Sequence, residues 1–184
     1  IEHFKRTVEL DDKYLQGYTA LGVLYETEEQ YEQAVENLEE AVKIEPLSRN
    51  LGRHLADMYH KAGRKKDAVH QYGLLIALYP DDPSIYIGLA SLYTQDDEMD
   101  KALEVLDRGL ASPAQDKAKL TRFKGFIYSN SRKYEQAIEL YLGILESAPS
   151  DVQALFYLAS AYERSGQREL AIKKFRRCLA LDPD

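Results

Sequence analysis

The sequence predicts an all-α chain, a solenoid of stacked antiparallel helix pairs, and three regularities carry that prediction. Tyrosines stand at 25, 59, 93, 128 and 162, at steps of 34, 34, 35 and 34 residues. Each is preceded three places earlier by a small residue (Gly22, Ala56, Ala90, Gly125, Ala159) and followed nine places later by alanine (Ala34, Ala68, Ala102, Ala137, Ala171). Prolines close the units at Pro46, Pro80, Pro149 and Pro183, each just beyond an apolar-periodic stretch, where a residue without an N–H stops a helix. A period near 34 held through five copies marks a stacked array.

The elements follow in order. Residues 1–14 read as the second helix of a partial repeat, and 15–48, 49–82, 83–117, 118–151 and 152–184 as full repeats. Within each repeat, two stretches carry apolar residues at the helical spacing i, i+3, i+4, i+7. Short turns join them, such as Ala62-Gly63-Arg64 and Ser165-Gly166-Gln167. Antiparallel helices approach closely only where the side chains between them are small, and Gly22 and Ala34 are expected to supply that contact, with the tyrosine filling the wedge beside it. The repeat from Pro83 ends irregularly, with Pro113 early and one extra residue, which predicts a local change of stacking angle. No Gly/Ser/Pro-rich linker interrupts the array, so residues 1–184 read as a single domain. The chain opens at Ile1 inside a helix, as a piece of a longer protein does. The last helix, roughly Gln167 to Leu181, is expected to leave an apolar flank uncovered, a route to homo-oligomers.

Composition narrows the function. Over 184 residues, 24 basic against 31 acidic side chains give a net charge of −7, with 45% hydrophobic and 30% charged residues. That balance is globular, not disordered, and it is a poor start for binding nucleic acid, which needs Lys and Arg against phosphates. The longest apolar run, Leu74 to Tyr79, is too short to cross a bilayer. The lone Cys178 rules out an internal disulfide and reads as a small buried hydrophobe. His54, Asp57 and His60 share a helix, but the two histidines point about 120° apart. They read as polar surface residues and not as metal ligands. No metalloprotease, nucleophile-elbow, phosphate-loop or dinucleotide motif is present. The sequence therefore predicts no catalytic residue, no metal, no cofactor, no nucleic-acid partner and no membrane insertion, and it assigns no compartment.

The repeat marks resemble the tetratricopeptide repeat family, most fully over Leu15 to Ser48, with Tyr18, Leu21, Gly22, Tyr25, Ala34, Leu38, Ala41 and Pro46 in place. Departures are Gly52 and Thr121 for the large first residue, Lys124 for leucine, and Leu75 and Ile144 for a small residue late in the second helix. The resemblance implies a right-handed superhelix whose first helices line a concave face that holds a peptide or partner protein, a non-enzymatic scaffold. It places Gln16, Thr19, Ala20 and Val23 of the first full repeat there. Arg53, His54 and Asp57 of the second follow, then Lys119, Arg122, Phe123, Phe126 and Asn130 of the fourth, and Phe156 and Tyr157 of the fifth. Most tyrosines are spent on repeat positions. Phe123, Phe126, Phe156 and Tyr157 are not, and their clustering on the last two first helices points to that half as the recognition surface for an apolar anchor and an acid. The alternative is that Phe123 and Phe156 only pack between adjacent units. The residues that clamp a C-terminal carboxylate in chaperone-binding family members have no matching set here. Two other functions stay open: a self-assembly module acting through the last helix, and the targeting or recruiting arm of a larger enzyme such as a glycosyltransferase.

Overall fold

The computed structural model describes residues 2–182, which form eleven α-helices and, among the described residues, no strand. The chain is therefore all-α and built of repeated helix pairs. Pro183 lies outside the described residues. Two compact units, Ile1–Leu92 and Tyr93–Asp184, divide the chain within one helix.

The first unit holds α1 (Glu2–Leu10), α2 (Leu15–Thr27), α3 (Tyr31–Ile44), α4 (Arg49–Lys61), α5 (Lys65–Leu78) and most of α6 (Pro83–Gln95). Helices α2 and α3 form one pair and α4 and α5 the next, with α3 packed on α4. Leu21, Ala34, Val35, Leu38 and Ala41 have almost no exposed surface and join Leu51, Leu55 and Met58 of α4 in one core. The small residue of α2 works against a larger partner than its sequence spacing suggests. A Cβ built on Gly22 would sit 2.9 Å from Cγ of Leu38, four residues beyond Ala34. The Tyr59 hydroxyl donates to Glu39 Oε1 at 2.7 Å, a polar tie between successive pairs.

The second unit holds α7 (Met99–Ala111), α8 (Lys117–Asn130), α9 (Tyr134–Ser147), α10 (Val152–Arg164) and α11 (Arg168–Leu181). Its core gathers Ala137, Tyr141, Ile144, Ala154, Leu158 and Ala171. Asp116 and Asp151 cap α8 and α10, each accepting a backbone N–H three residues on, from Lys119 and Ala154. On α11, Leu170, Ile172, Leu179 and Leu181 are exposed while Ala171 and Cys178 are buried, and burial pushes the Cys178 thiol pKa up. No helix among the described residues is long and apolar enough to cross a membrane.

One backbone device recurs in both units. Glu29, Gly63, Asp97, Arg132 and Gly166, spaced like the tyrosines, all have left-handed backbone with φ of 58°, 77°, 63°, 59° and 83°. The next residue's N–H returns to the repeat tyrosine's carbonyl: Gln30 to Tyr25, Arg64 to Tyr59, Glu98 to Tyr93, Lys133 to Tyr128 and Gln167 to Tyr162, each at 2.8 Å. This bond closes the last turn of the first helix and sends the chain back along it. Left-handed backbone is cheap only for glycine. Open space surrounds Gly63 and Gly166, so what they supply is backbone freedom and not room. Gly63→Ala should therefore lower stability by about 1 kcal/mol and Arg132→Gly should raise it by a similar or smaller amount. Chemical denaturation midpoints check both.

Candidate functional site

In the second unit, α8 and α10 touch, and the side chains on their exposed sides form an aromatic surface. Phe123 and Phe126, one turn apart on α8, stack with ring centroids 5.9 Å apart and planes at 25°. On α10, Phe156 meets Tyr157 edge-on at 5.9 Å, and Phe156 also meets Phe175 of α11 edge-on at 5.7 Å. Phe126, Phe156 and Tyr157 remain 38%, 51% and 37% exposed, much surface for aromatic side chains in a folded unit. Phe123 is half-buried.

No ring contact among the described residues joins the α8 pair directly to the α10 pair. Tyr141 of α9, one of the tyrosines at repeat positions, contacts both helices. A Cβ at Gly125 on α8 would lie 2.6 Å from Tyr141 Cζ, and the Tyr141 ring stacks on Tyr157 with centroids 5.8 Å apart and planes at 18°. Tyr141 is buried, and so is Ser129, whose side chain acts on the Tyr141 hydroxyl. Burial pushes the Tyr141 phenol up to about 12, against the lowering effect of Ser129. Tyr157 thus stands on a rigid ring and keeps its outer side free.

The cations expected beside these rings are mostly occupied. Arg122 Nη1 donates to Asp151 Oδ2 at 2.5 Å, with side chains only 14% and 17% exposed. Lys119 is exposed and lies 3.5 Å from Asp116. Asn130 is exposed and its Oδ1 accepts from Arg164 Nη1 at 3.2 Å, while the Arg164 guanidinium lies 5.5 Å from the centre of the Tyr134 ring. The polar groups on these helices are thus paired among themselves, and Phe126, Phe156 and Tyr157 are the exposed apolar groups.

The remaining sequence-predicted residues lie in the first unit on α4. His54 Nε2 is 2.7 Å from Glu26 Oε2, and Lys61 Nζ donates to the other oxygen of Glu26 at 2.7 Å. Burial raises the Glu26 carboxyl pKa, but these two partners outweigh it and leave it below its ordinary value. Asp57 Oδ1 accepts from the buried Tyr72 hydroxyl at 2.6 Å, and burial followed by the Asp57 charge drives the Tyr72 phenol pKa strongly upward. The Nε of Arg53 is buried with no hydrogen-bond partner. Apart from these, Gln16, Thr19, Ala20 and Val23 of α2 line an almost wholly apolar hollow of about 570 Å³ with Phe4 of α1. The family resemblance places the four α2 residues on the concave face, and Phe4 is the residue that the structure adds to them. Among the described residues, no group of three or more His, Cys, Asp or Glu is placed to hold a metal ion.

Comparison with known proteins bears on the repeat. Tetratricopeptide repeat profiles match residues 15–46, 61–117 and 127–184. Among curated proteins, a TPR repeat-containing protein of Methanocaldococcus jannaschii is 23% identical over 97% of this chain and 39% of its own length. The human protein O-mannosyl-transferase TMTC1 is 25% identical over the whole chain and 21% of its own length. The chain thus spans well under half of either relative. Among solved structures, MamA superposes with a TM-score of 0.62, 23% identity and 92% of both chains covered. YrrB, described as a TPR protein with an unusual peptide-binding site, superposes with a TM-score of 0.56 at 15% identity, covering 98% of this chain and 93% of its own. At these identities the likeness is one of fold.

Proposed function

The chain belongs to the tetratricopeptide repeat family, a fold that serves in general as a protein-interaction scaffold, and from that premise we propose that it binds a peptide segment of a partner protein on the aromatic surface of α8 and α10. The observation that carries the reading is the exposure of Phe126 on α8 and of the contacting pair Phe156 and Tyr157 on α10, with the buried Tyr141 stacked on the Tyr157 ring. Exposed rings held in place lose little entropy when a partner covers them, so most of the apolar burial remains as binding free energy. With Arg122 committed to Asp151, the partner's main anchor is apolar, and Lys119, Asn130 and Arg164 on the same helices set its direction. Arg53, His54 and Asp57 form a separate, polar recognition surface on the first unit.

Random twelve-residue peptides displayed on phage test this. Selected peptides should carry a bulky apolar residue and lose about tenfold or more in affinity against Phe126→Ala or Tyr157→Ala, as interface hot spots do. Thermal melting of both variants should stay near that of the parent protein, because the rings removed are exposed. Undiminished binding by both variants contradicts the proposal.

A second reading is favoured by the match to the human O-mannosyl-transferase: the array is the recruiting arm of a larger enzyme. In that case, deleting it from the parent protein should lower transfer to whole protein acceptors and spare transfer to short acceptor peptides.

A further inference from the structure

The two units use one acidic position differently. Asp82 and Asp151 occupy the same place two repeats apart, as do Arg53 and Arg122. In the second unit Arg122 takes Asp151. In the first unit Arg49, whose counterpart is Ala118, reaches the acid instead and binds Asp82 Oδ2 at 2.5 Å. Asp82 Oδ1 accepts from both the N–H and the hydroxyl of Ser84, at 2.9 and 2.6 Å. Burial of Asp82 would raise its pKa, but Ser84 and Arg49 together hold it below the ordinary value. Asp82 is saturated, and Arg53 is left out.

Nothing else in the first unit takes its place. Among the described residues no carboxylate forms an ion pair with Arg53, and its Nε is buried with no hydrogen-bond partner. Asp57, one turn further along α4, is turned toward Tyr72. Glu26 is held by His54 and Lys61. The residue on α6 corresponding to Tyr157 is Gly88, so no side chain from that position stands over the site; a Cβ there would lie 2.6 Å from the Tyr72 hydroxyl. A half-buried guanidinium without a counter-ion costs free energy that an incoming anion recovers, and its planar fork suits a carboxylate.

We infer that Arg53 is an anion-recognition point on the polar surface of the first unit and takes an acidic side chain of a bound peptide. The inference rests on the partner-binding reading of that surface and is independent of the aromatic surface of the second unit. Arg49 is then a positioning residue: by holding Asp82 it keeps Arg53 available.

Titration of the whole chain with acetyl-tetraglutamate amide, followed by side-chain Nε–Hε and backbone amide NMR signals, tests it. The Arg53 Nε–Hε signal, assigned by its absence from Arg53→Gln, should shift saturably, and that of Arg122 should not. Acetyl-tetraglutamine amide should leave both unmoved. Arg53→Gln should weaken binding at least tenfold, read from the amides of Asp57 and Tyr72. Arg49→Ala should weaken it at least fivefold, because the freed Asp82 then pairs with Arg53 as Asp151 does with Arg122. Equal melting of the variants and the parent protein shows that the fold is kept, and Arg53→Lys, which retains the charge, should bind better than Arg53→Gln. The inference is overturned by undiminished binding to Arg53→Gln, by an equal response to the glutamine peptide, by tighter binding of inorganic phosphate than of the acidic peptide, or by no saturable shift at about 10 mM probe. Any of these with Tyr157-dependent peptide binding intact removes this site alone.

Discussion

Tyr141→Ala should destabilise the second unit by about 3–5 kcal/mol, the range for deleting a large buried aromatic. The ring is 1% exposed and fills the space between α8 and α10. Its loss opens a cavity bounded by backbone at Gly125, which cannot collapse inward without moving a helix. Tyr141→Phe keeps the ring and loses only the hydroxyl and its polar interaction with Ser129, so at most about 0.5–1.5 kcal/mol is expected. The two variants also part at alkaline pH. Because burial pushes the Tyr141 phenol up to about 12, the unfolded chain releases this proton near pH 10 while the folded one retains it. Stability is full below pH 10 and falls as pH rises toward 12, by at most about 1.4 kcal/mol per pH unit from this group. Tyr141→Phe should show a shallower decline, though not a flat one, since Tyr72 and Tyr59 are raised as well. Urea denaturation from pH 8 to 11 reads both effects.

Gly125→Ala and, more severely, Gly125→Val should cost about 1–3 kcal/mol from the other side of the same contact. A Cβ at this position meets Cζ, Cε1 and the hydroxyl of Tyr141 at 2.6 to 2.9 Å. Tyr141 is enclosed and cannot swing away. A smaller partner offers relief: where the small residue is Ala90 the residue sixteen places on is Leu106, whereas Ala56 is followed by Tyr72, whose hydroxyl lies against Gly88. Gly125→Ala combined with Tyr141→Leu should therefore lose less than the sum of the two single changes, an interaction of about 0.5–3 kcal/mol in a double-mutant cycle. Strict additivity would show that the two residues do not share the space described.

The comparison of Gly125 with Gly22 also shows where sequence reasoning was strong and where it stopped. The period of 34 places every helix pair, because tyrosine, alanine and the small residue recur at fixed spacing and each has a geometric duty. The left-handed residue of each turn was legible only at Gly63 and Gly166. Glu29, Asp97 and Arg132 adopt the same backbone without the residue type that announces it. Spacing along a helix pair points to Ala34 for this contact and does not reveal that the atoms nearest Gly22 are those of Leu38. The candidate site behaved likewise. Subtracting repeat positions isolates Phe123, Phe126, Phe156 and Tyr157, which lie on α8 and α10. It also sets Tyr141 aside, and Tyr141 is the ring on which Tyr157 rests. Charge pairing was not legible: Arg122 and Arg53 hold equivalent positions, and only the competing Arg49 decides which of them finds an acid.

The binding account is tested most directly by isothermal titration of the tightest phage-selected peptide into the protein and its Tyr157→Ala variant at matched thermal stability. The account predicts an affinity about tenfold or more weaker for the variant, with a smaller heat-capacity change on binding because less apolar surface is covered. Equal affinities with an unchanged heat-capacity change would place the peptide elsewhere on the molecule.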